Sequence, residues 1–274
     1  MTRFKGYALS VKGASHEESG IGCQDSARVY IAEHFAVAAV SDGHGSEKHF
    51  RSASGSEMAT RVAIRSICDF CERNNGLDGI FLDNPENAAR RMAANIICGW
   101  NSEIAAHIGL LPLNKHEREI YEKYGGIANE VMYGATLIVA GVTENGCFGL
   151  QIGDGSFCAL SGGDMVFPMP EDANLVGNLT TSLCDSNAIE NFRHFYREGG
   201  FSGVMLSSDG LINSFVNEND YLKFGRRVLS AVDSGATSAL GEHLKTRSRC
   251  GSRDDISVSA VTKENGQFPY NKGV

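Results

Sequence analysis

Short apolar runs of strand length recur along the chain, and several of them end at glycine. The most complete is Phe35–Val40, whose six apolar residues lead directly into the sequence SDGHG at residues 41–45. A short apolar run bounded by glycine is typical of a buried strand. Similar runs or alternating patterns predict further strands at residues 4–11, 27–31, 135–141, 146–152, 157–160, 201–207 and 256–261.

Apolar residues at helical spacing separate these strands. Residues 46–75 form the first such pattern, and a second follows Pro85, where apolar residues recur every fourth position from Met92 to Ile108. Three shorter helical patterns lie at residues 115–124, 222–232 and 240–244. We expect a polar loop at residues 13–22 and a long surface excursion at residues 161–200, because the latter lack clear periodicity.

The composition favours one strand-rich domain over residues 1–274. Hydrophobic residues make up 42% of the chain, which allows a sizeable core, and 32 glycines against 5 prolines favour many tight turns. No shift in composition marks a linker, and the polar tail at residues 263–274 is expected to fray. The net charge of −8 argues against a nucleic-acid partner, but not against anionic substrates if metal ions supply positive charge.

The eight cysteines are interpreted as thiols rather than disulfides. Several of them lie inside apolar runs, and the N-terminal residues lack the apolar segment of a signal peptide. No stretch approaches the ~18 apolar residues that a membrane span needs. These observations predict a cytoplasmic protein without a membrane partner.

Five aspartates stand at strand ends: Asp42, Asp154 and Asp209 each follow an apolar strand and precede glycine, and Asp25 and Asp254 each come before a strand. The end of one antiparallel strand lies beside the start of its neighbour, so these carboxylates could meet at one edge. Carboxylates that meet raise one another's pKa, and Mg²⁺ or Mn²⁺ with oxygen ligands relieves that repulsion. The competing interpretation is five ordinary turn residues. Recurrence at five strand ends favours a metal site.

Such a site would suit the hydrolysis of a phosphate ester. Two ions bridged by shared carboxylates lower the pKa of a bound water from ~16 toward ~7 and hold the attacked oxygens. His44, two residues after Asp42, is a candidate to protonate the leaving oxygen. The sequence contains neither a G-x-S-x-G nucleophile motif nor a G-x-x-x-x-G-K-[ST] phosphate loop.

Six short motifs, taken in order, resemble the metal-dependent protein serine/threonine phosphatases of type 2C, in particular a bacterial branch of that family. They are CQD at 23–25, SDGHG at 41–45, GAT at 134–136, GDGS at 153–156, SSDG at 207–210 and DDIS at 254–257. The resemblance covers about residues 6 to 262. It implies an α+β fold, a four-layer α/β/β/α sandwich of two antiparallel β-sheets flanked by helix pairs. Residues 161–200 fall where the family carries its flap, a variable segment near the site.

The resemblance also implies a dinuclear Mn²⁺/Mg²⁺ centre, with a third ion in bacterial relatives. Carried over motif by motif, Asp42 would bridge both ions and the Gly43 carbonyl would bind one of them. The residues expected to complete the metal sites are Asp209 and Asp254 for the other ion, Asp25 directly or through water, and Asp154, with Asp209, for the third. His44 matches the family's general acid.

Three departures from the family pattern bear on the site. Gln24 stands where a glutamate usually precedes the first aspartate, which predicts weaker affinity for one ion. Residues 13–24 contain no arginine to hold the substrate phosphate, so His16 is the candidate cation there. Asp255 replaces the asparagine of the last motif, with little expected effect on the chemistry because Asp254 remains.

The prediction is therefore a protein serine/threonine phosphatase that acts on phosphoproteins, with a cognate kinase as a further partner and a monomeric state. The alternative is a catalytically weak or inactive phosphatase-like regulatory protein, which Gln24 and the missing arginine favour. A carbohydrate- or Ca²⁺-binding β-protein would explain Asp-rich turns, but not the ordered set of motifs.

Overall fold

Ten antiparallel strands form the centre of the fold in a computed structural model, which describes residues 3–73, 84–172 and 180–264. The strands, numbered in chain order, are β1 Phe4–Val11, β2 Ser26–Ile31, β3 Phe35–Ser41, β4 Leu137–Thr143, β5 Gly146–Ile152, β6 Ser156–Ser161, β7 Asp164–Val166, β8 Arg193–Glu198, β9 Phe201–Ser207 and β10 Ile256–Lys263. One five-stranded sheet has the order β1-β10-β9-β6-β7, and the other has the order β2-β3-β4-β5-β8.

Nine α-helices accompany the strands in the described part of the chain, with a short 3-10 helix at Glu47–His49. They are α1 Ala14–Ser19, α2 Ser52–Arg73, α3 Pro85–Leu110, α4 Lys115–Lys123, α5 Asn129–Met132, α6 Ala188–Asn191, α7 Asp209–Ile212, α8 Glu218–Ser234 and α9 Leu240–Cys250. None of the helices described is both long and apolar enough to cross a membrane.

The core consists of three apolar clusters. Helices α2 and α3 pack on the β2-β3-β4-β5-β8 sheet through residues such as Met92 and Trp100, and α8 and α9 pack on the other sheet. A third apolar cluster lies between the two sheets. The predicted fold class, two antiparallel sheets flanked by helix pairs, is confirmed.

Strand β3 shows why a wholly apolar run was the clearest pattern in the sequence. Ala36, Ala38 and Val40 face the layer between the sheets, whereas Val37 and Ala39 face the helices. Because both faces of the strand are buried, no position in it favours a polar side chain. The strand therefore carries its first carboxylate only where it leaves the sheet, at Asp42.

Two sequence expectations were wrong in part. Residues 13–22 contain the short helix α1, held by bonds from Ala14 N to Ser248 Oγ (3.0 Å) and from Ser15 N to the Arg253 carbonyl (2.9 Å). These partners are distant in sequence, so no local pattern announces them. The 161–200 segment is also more than a surface excursion, because β8 pairs with β5 as an edge strand. Residues 173–179 and 265–274 lie outside the described residues.

Candidate active site

The five predicted aspartates come from strand ends of both sheets. Each of β3, β5 and β9 ends one or two residues before its aspartate, and β2 and β10 begin one or two residues after theirs. A cavity of about 600 Å³ opens at this end of the sandwich. Four of the five predicted aspartates are among the residues that line it: Asp42, Asp154, Asp209 and Asp254.

The fifth aspartate, Asp25, is half-buried and is not among the lining residues. Both of its carboxylate oxygens are inaccessible and have no hydrogen-bond partner. Burial raises the pKa of Asp25 to about 8; the neighbouring Ser208 hydroxyl opposes this rise, and the nearby charges of Asp255, Asp254 and Asp209 add to it. A buried carboxylate without a partner is costly, and a cation is the partner that would relieve it.

Burial and charge repulsion also raise the pKa values of Asp42 and Asp209. Burial raises the pKa of Asp42 well above its usual value, and the charges of Asp25, Asp209 and Asp254 raise it further. The pKa of Asp209 is likewise raised by burial and by the charges of Asp154 and Asp254. Each of the five aspartates is therefore close enough to at least one of the others for their charges to repel.

The donor set fits a hard divalent cation. Carboxylate oxygens are the ligands that Mg²⁺ and Mn²⁺ prefer, and the unpartnered oxygens of Asp25 lack any other cation. Within residues 3–73, 84–172 and 180–264, no three acidic, histidine or cysteine side chains yet converge at ligand spacing.

The backbone that carries Asp42 is fixed by residues 134–136. Thr136 accepts from Asp42 N through its hydroxyl (3.1 Å) and donates its own N–H to the Asp42 carbonyl (2.8 Å). Gly43 is bridged to Ala135, and a Cβ at Gly43 would lie 2.6 Å from the Gln24 carbonyl oxygen. Glycine is needed here because two backbone segments approach at this point.

His44 lies in the cavity wall between two neighbours. Its Nε2 lies 2.7 Å from Ser182 Oγ, and its ring centroid is 4.9 Å from that of His49. Burial lowers the pKa of His44 to about 4, with smaller contributions from His49 and Lys48. The imidazole is therefore neutral at pH 7 in the protein without metal.

Asp255 holds the loop that leads to Asp25. Its two oxygens accept from Gly13 N and Gln24 N, each at 2.6 Å, and the side chain is buried. The Gln24 side chain donates to Ser52 Oγ at the start of α2 (3.0 Å). Asp255 and the Gln24 amide nitrogen thus have structural partners in the loop and in α2.

His16 and Lys48 occupy different places with respect to the cavity. His16 Nδ1 lies 3.0 Å from Asp255 Oδ2, without the alignment of a hydrogen bond, and His16 is not among the lining residues. Lys48 is exposed and is the only lysine or arginine among the described residues that line the cavity. The structure therefore gives the cavity a cation that the sequence did not single out.

The turn that carries Asp154 is braced from three sides. Gln151 Nε2 donates to the carbonyls of Gly153 (3.1 Å) and Gly155 (2.6 Å), and Arg193 donates to the Gly153 carbonyl (2.7 Å). Thr181 Oγ1 accepts from Gly153 N at 2.9 Å. Two of these three braces come from the segment at residues 161–200, which therefore contributes to the site's support.

Sequence reasoning missed Thr136, Ser182 and Lys48 as parts of the site. Thr136 belongs to the quoted GAT motif, which gave a signal without a role. Ser182 lies in a segment without periodicity, and only its contact with His44 reveals its position. Lys48 follows the SDGHG motif closely, and its place beside the cavity depends on the turn at residues 46–49.

The chain matches one protein family and is similar in fold to several solved structures. The sequence profile of the family described as Protein phosphatase 2C matches residues 12–246. Among curated proteins, no relative matches the sequence. Solved structures with a similar fold include the catalytic domain of the serine threonine protein phosphatase PstP in complex with 2 manganese ions, with 17% identity, a TM-score of 0.59, and coverage of 96% of this chain and 99% of that chain.

Two further solved structures are similar at comparable distance. PppA, a key regulatory component of T6SS in Pseudomonas aeruginosa, is 16% identical, with a TM-score of 0.58 and coverage of 95% of this chain and 98% of that chain. The serine/threonine phosphatase Stp1 from Staphylococcus aureus is 13% identical, with a TM-score of 0.61 and 94% of each chain covered. The structural similarity shows a common fold, and at identities this low it shows the fold alone.

Proposed function

Since this chain belongs to the protein phosphatase 2C family, we propose that it is a metal-dependent protein serine/threonine phosphatase that hydrolyses phosphomonoesters. The observation that carries the proposal is the meeting of five aspartates beside a cavity that also contains His44. Each aspartate is repelled by at least one other, and one of them has unpartnered buried oxygens. Neither a nucleophilic serine nor a nucleophilic cysteine is required.

We assign the metal ligands by position. The residues that would hold two Mn²⁺ or Mg²⁺ ions are Asp25, Asp42, the Gly43 carbonyl, Asp209 and Asp254, and Asp154 would join Asp209 at a third site. When bound, such ions supply a water of lowered pKa and positive charge against the phosphate oxygens.

The chain's own residues supply the remaining functions. His44 would act as the general acid that gives a proton to the leaving oxygen, and its place in the cavity wall supports this role. Because burial leaves the ring neutral at pH 7, the negative charge of a bound phosphate would have to raise the pKa of His44 before the ring can donate that proton. Lys48 would attract the dianionic phosphate, since it is the lysine that lines the cavity. The role predicted for His16 is untested, and its closest charged neighbour is Asp255.

Phosphate release from p-nitrophenyl phosphate and from phosphoserine and phosphothreonine peptides tests the proposal. We expect turnover that Mn²⁺ stimulates, that EDTA abolishes and that added Mn²⁺ restores. Asp42→Asn should lower kcat by about 100-fold or more, the scale on which loss of one electrostatic group acts. Asp164→Asn, at a side chain that is 90% exposed, is the matched control and should leave kcat unchanged. Turnover that resists both EDTA and Asp42→Asn would contradict the proposal.

A catalytically weak or inactive binding protein is the second candidate. Gln24 favours it, because an amide already bonded to Ser52 replaces an expected carboxylate. A calorimetric titration that finds no tight Mn²⁺ site, together with no turnover, would support this alternative. A tight site with turnover would exclude it.

The biological setting follows from the proposed reaction. We propose phosphoproteins as substrates, a cognate serine/threonine kinase as the opposing enzyme, a monomer in the cytoplasm, and no nucleic-acid or membrane partner. Size-exclusion chromatography with light scattering tests the monomer, and a mass of two chains would contradict it.

A further inference from the structure

The inference concerns Ser182, which lies in the segment expected to be a surface excursion. Its side chain is 3% exposed, and its Oγ lies 2.7 Å from His44 Nε2. We propose that Ser182 is a positioning residue for His44, which holds the imidazole in the orientation needed to protonate the leaving group. This inference rests on the proposed function, since it gives His44 its task.

His44 and the backbone next to Ser182 are both hydrogen-bonded to the same short segment, residues 134–135. His44 N donates to the Gly134 carbonyl (3.0 Å), and Leu183 N donates to the Ala135 carbonyl (2.9 Å). Ser182 Oγ also lies 3.1 Å from the Ala135 carbonyl oxygen. Because Gly134 and Ala135 anchor both partners, the distance between the serine hydroxyl and the imidazole is set by the fold rather than by flexible side chains.

Neighbouring contacts restrict Ser182 itself. Asp185 Oδ2 accepts from Ser182 N at 2.8 Å, which closes a tight turn. The next side chain, Leu183, is buried in the core cluster under α2 and α3. The hydroxyl therefore has little freedom to leave His44, and the hydrogen bond fixes the ring plane whichever group donates.

The His44 imidazole has one further contact that restrains it, with the ring of His49. His49 contacts His44 at an interplanar angle of 57°, and its own Nδ1 is bonded to the Val131 carbonyl. His44 thus contacts both an anchored ring and an anchored hydroxyl. Removal of the hydroxyl would leave the ring free to rotate about its side-chain bonds while the backbone stays in place.

The chemistry predicts where such rotation would matter. In hydrolysis, the water oxygen bonds to phosphorus, the bond from phosphorus to the leaving oxygen breaks, and the leaving oxygen takes one proton to give the alcohol and inorganic phosphate. A p-nitrophenolate leaves readily without that proton, whereas phenolate or a serine alkoxide needs it. A misplaced general acid therefore penalises the poor leaving group more.

The test compares kcat on phenyl phosphate with kcat on p-nitrophenyl phosphate at saturating Mn²⁺. We expect Ser182→Ala to lower the ratio of the two values about 10-fold, part of the 10²- to 10⁴-fold that a general acid contributes. Ser182→Thr, which keeps a hydroxyl, should restore much of the ratio. Ser259→Ala removes another buried hydroxyl, one bonded to the Arg28 carbonyl, and should leave the ratio unchanged.

A double variant provides the second arm. His44→Ala with Ser182→Ala should lose no more than His44→Ala alone, because both changes remove one function. Equal losses on the two substrates, or additive losses in the double variant, would overturn the inference. Tm and Mn²⁺ affinity of each variant identify any general damage to the fold.

A measurement on the wild-type chain covers the case in which a variant does not fold. Imidazole nitrogen NMR of the Mg²⁺-loaded protein should show His44 Nε2 in a hydrogen bond, and a solvent-like Nε2 signal would overturn the contact. The two proposals fail differently. If the wild type lacks metal-dependent turnover, the proposed function fails, whereas turnover with an unchanged substrate ratio in Ser182→Ala refutes only the role of Ser182.

Discussion

Lys48 is the only lysine or arginine among the described residues that line the cavity, and its proposed role is to attract the phosphate. An exposed charge pair contributes at most about 1 kcal/mol, which corresponds to roughly a 5-fold change in affinity. We therefore expect Lys48→Ala to raise KM for p-nitrophenyl phosphate, and the inhibition constant of inorganic phosphate, by about that factor, with kcat little changed. Steady-state kinetics measure both values.

The matched variants separate Lys48 from His16. His16→Ala should leave KM unchanged, since His16 lies beside Asp255 and not among the lining residues. Lys115→Ala, at a side chain that is 94% exposed on α4, controls for the loss of one positive charge. A rise in KM with His16→Ala alone would restore the role predicted from the sequence.

Replacement of Asp255 is expected to lower the stability of the fold, and not only to affect the chemistry of the site. Asp255→Ala would leave the N–H groups of Gly13 and Gln24 without their acceptor, at a cost of about 1 to 3 kcal/mol for each buried group. Asp255→Asn keeps one acceptor oxygen and should lose less. Urea denaturation followed by circular dichroism measures the free energy of unfolding. A change below ~0.5 kcal/mol in Asp255→Ala, the size usual for surface substitutions, would contradict the assignment.

The sequence predicts the positions of some site residues but not of others. The five aspartates were predictable because each stands at the end of an apolar run, and runs that pair in a sheet bring their ends together. Ser182 and the buried contacts of Asp255 were not, because their partners lie 138 and 242 residues away in the chain. No local pattern encodes such distances.

At the level of elements, helix α2 depends on a close approach at Gly55. A Cβ there would lie 1.8 Å from the Tyr133 carbonyl oxygen, so the helix would have to move away from the loop before β4. We expect Gly55→Ala to destabilise the protein by about 1 to 3 kcal/mol, as overpacking does. It should also weaken Mn²⁺ binding, because Ser52 of α2 contacts Gln24.

Gly109 of α3 provides the matched control for this prediction. A Cβ at Gly109 meets no atom within 4 Å. Gly109→Ala should therefore be neutral or stabilise the protein by up to about 1 kcal/mol through helix propensity. Thermal unfolding of the two variants distinguishes steric contact from propensity, and equal effects would show that the approach to Tyr133 is not limiting.

Strands were the elements best predicted from the sequence. Runs buried on both faces, such as β3 and β4, are apolar except at the last residue of each strand, Ser41 and Thr143, which distinguishes them from polar loops. The edge strand β8 was missed because four of its six residues, Arg193, His194, Arg197 and Glu198, are polar or charged. Its pairing with β5, and not its composition, makes it a strand.

For the whole molecule, the crowded carboxylates predict a stability that falls with rising pH in the absence of metal. The pKa of Asp25 is about 8 in the folded protein, against the usual 3.8 of an aspartate. Between these values the folded state holds a proton that the unfolded state has lost, so stability is largest at low pH and declines as pH rises toward 8. Asp42 and Asp209 act in the same direction.

Thermal unfolding of the EDTA-treated protein at pH 5 and pH 8 tests this expectation. A loss of 1 kcal/mol lowers Tm by about 2 to 4 °C in a domain of comparable size, and we expect at least that fall. Mn²⁺ should raise Tm more at pH 8 than at pH 5, because protons compete for the carboxylates. Asp25→Asn should flatten the pH dependence, and a Tm that rises with pH in the metal-free protein would contradict the prediction.

The fold class and the family predicted from the sequence are confirmed, and both depend on ordered motifs spread over the chain.

The arrangement of β10 in that fold has a consequence for biosynthesis. This strand pairs with β1 on one side and β9 on the other, and Asp254 immediately precedes it. While a ribosome still covers Ile256–Lys263, the nascent chain cannot close either the sheet or the site. Stalled chains should therefore remain protease-sensitive until Lys263 emerges from the exit tunnel, and become resistant after it.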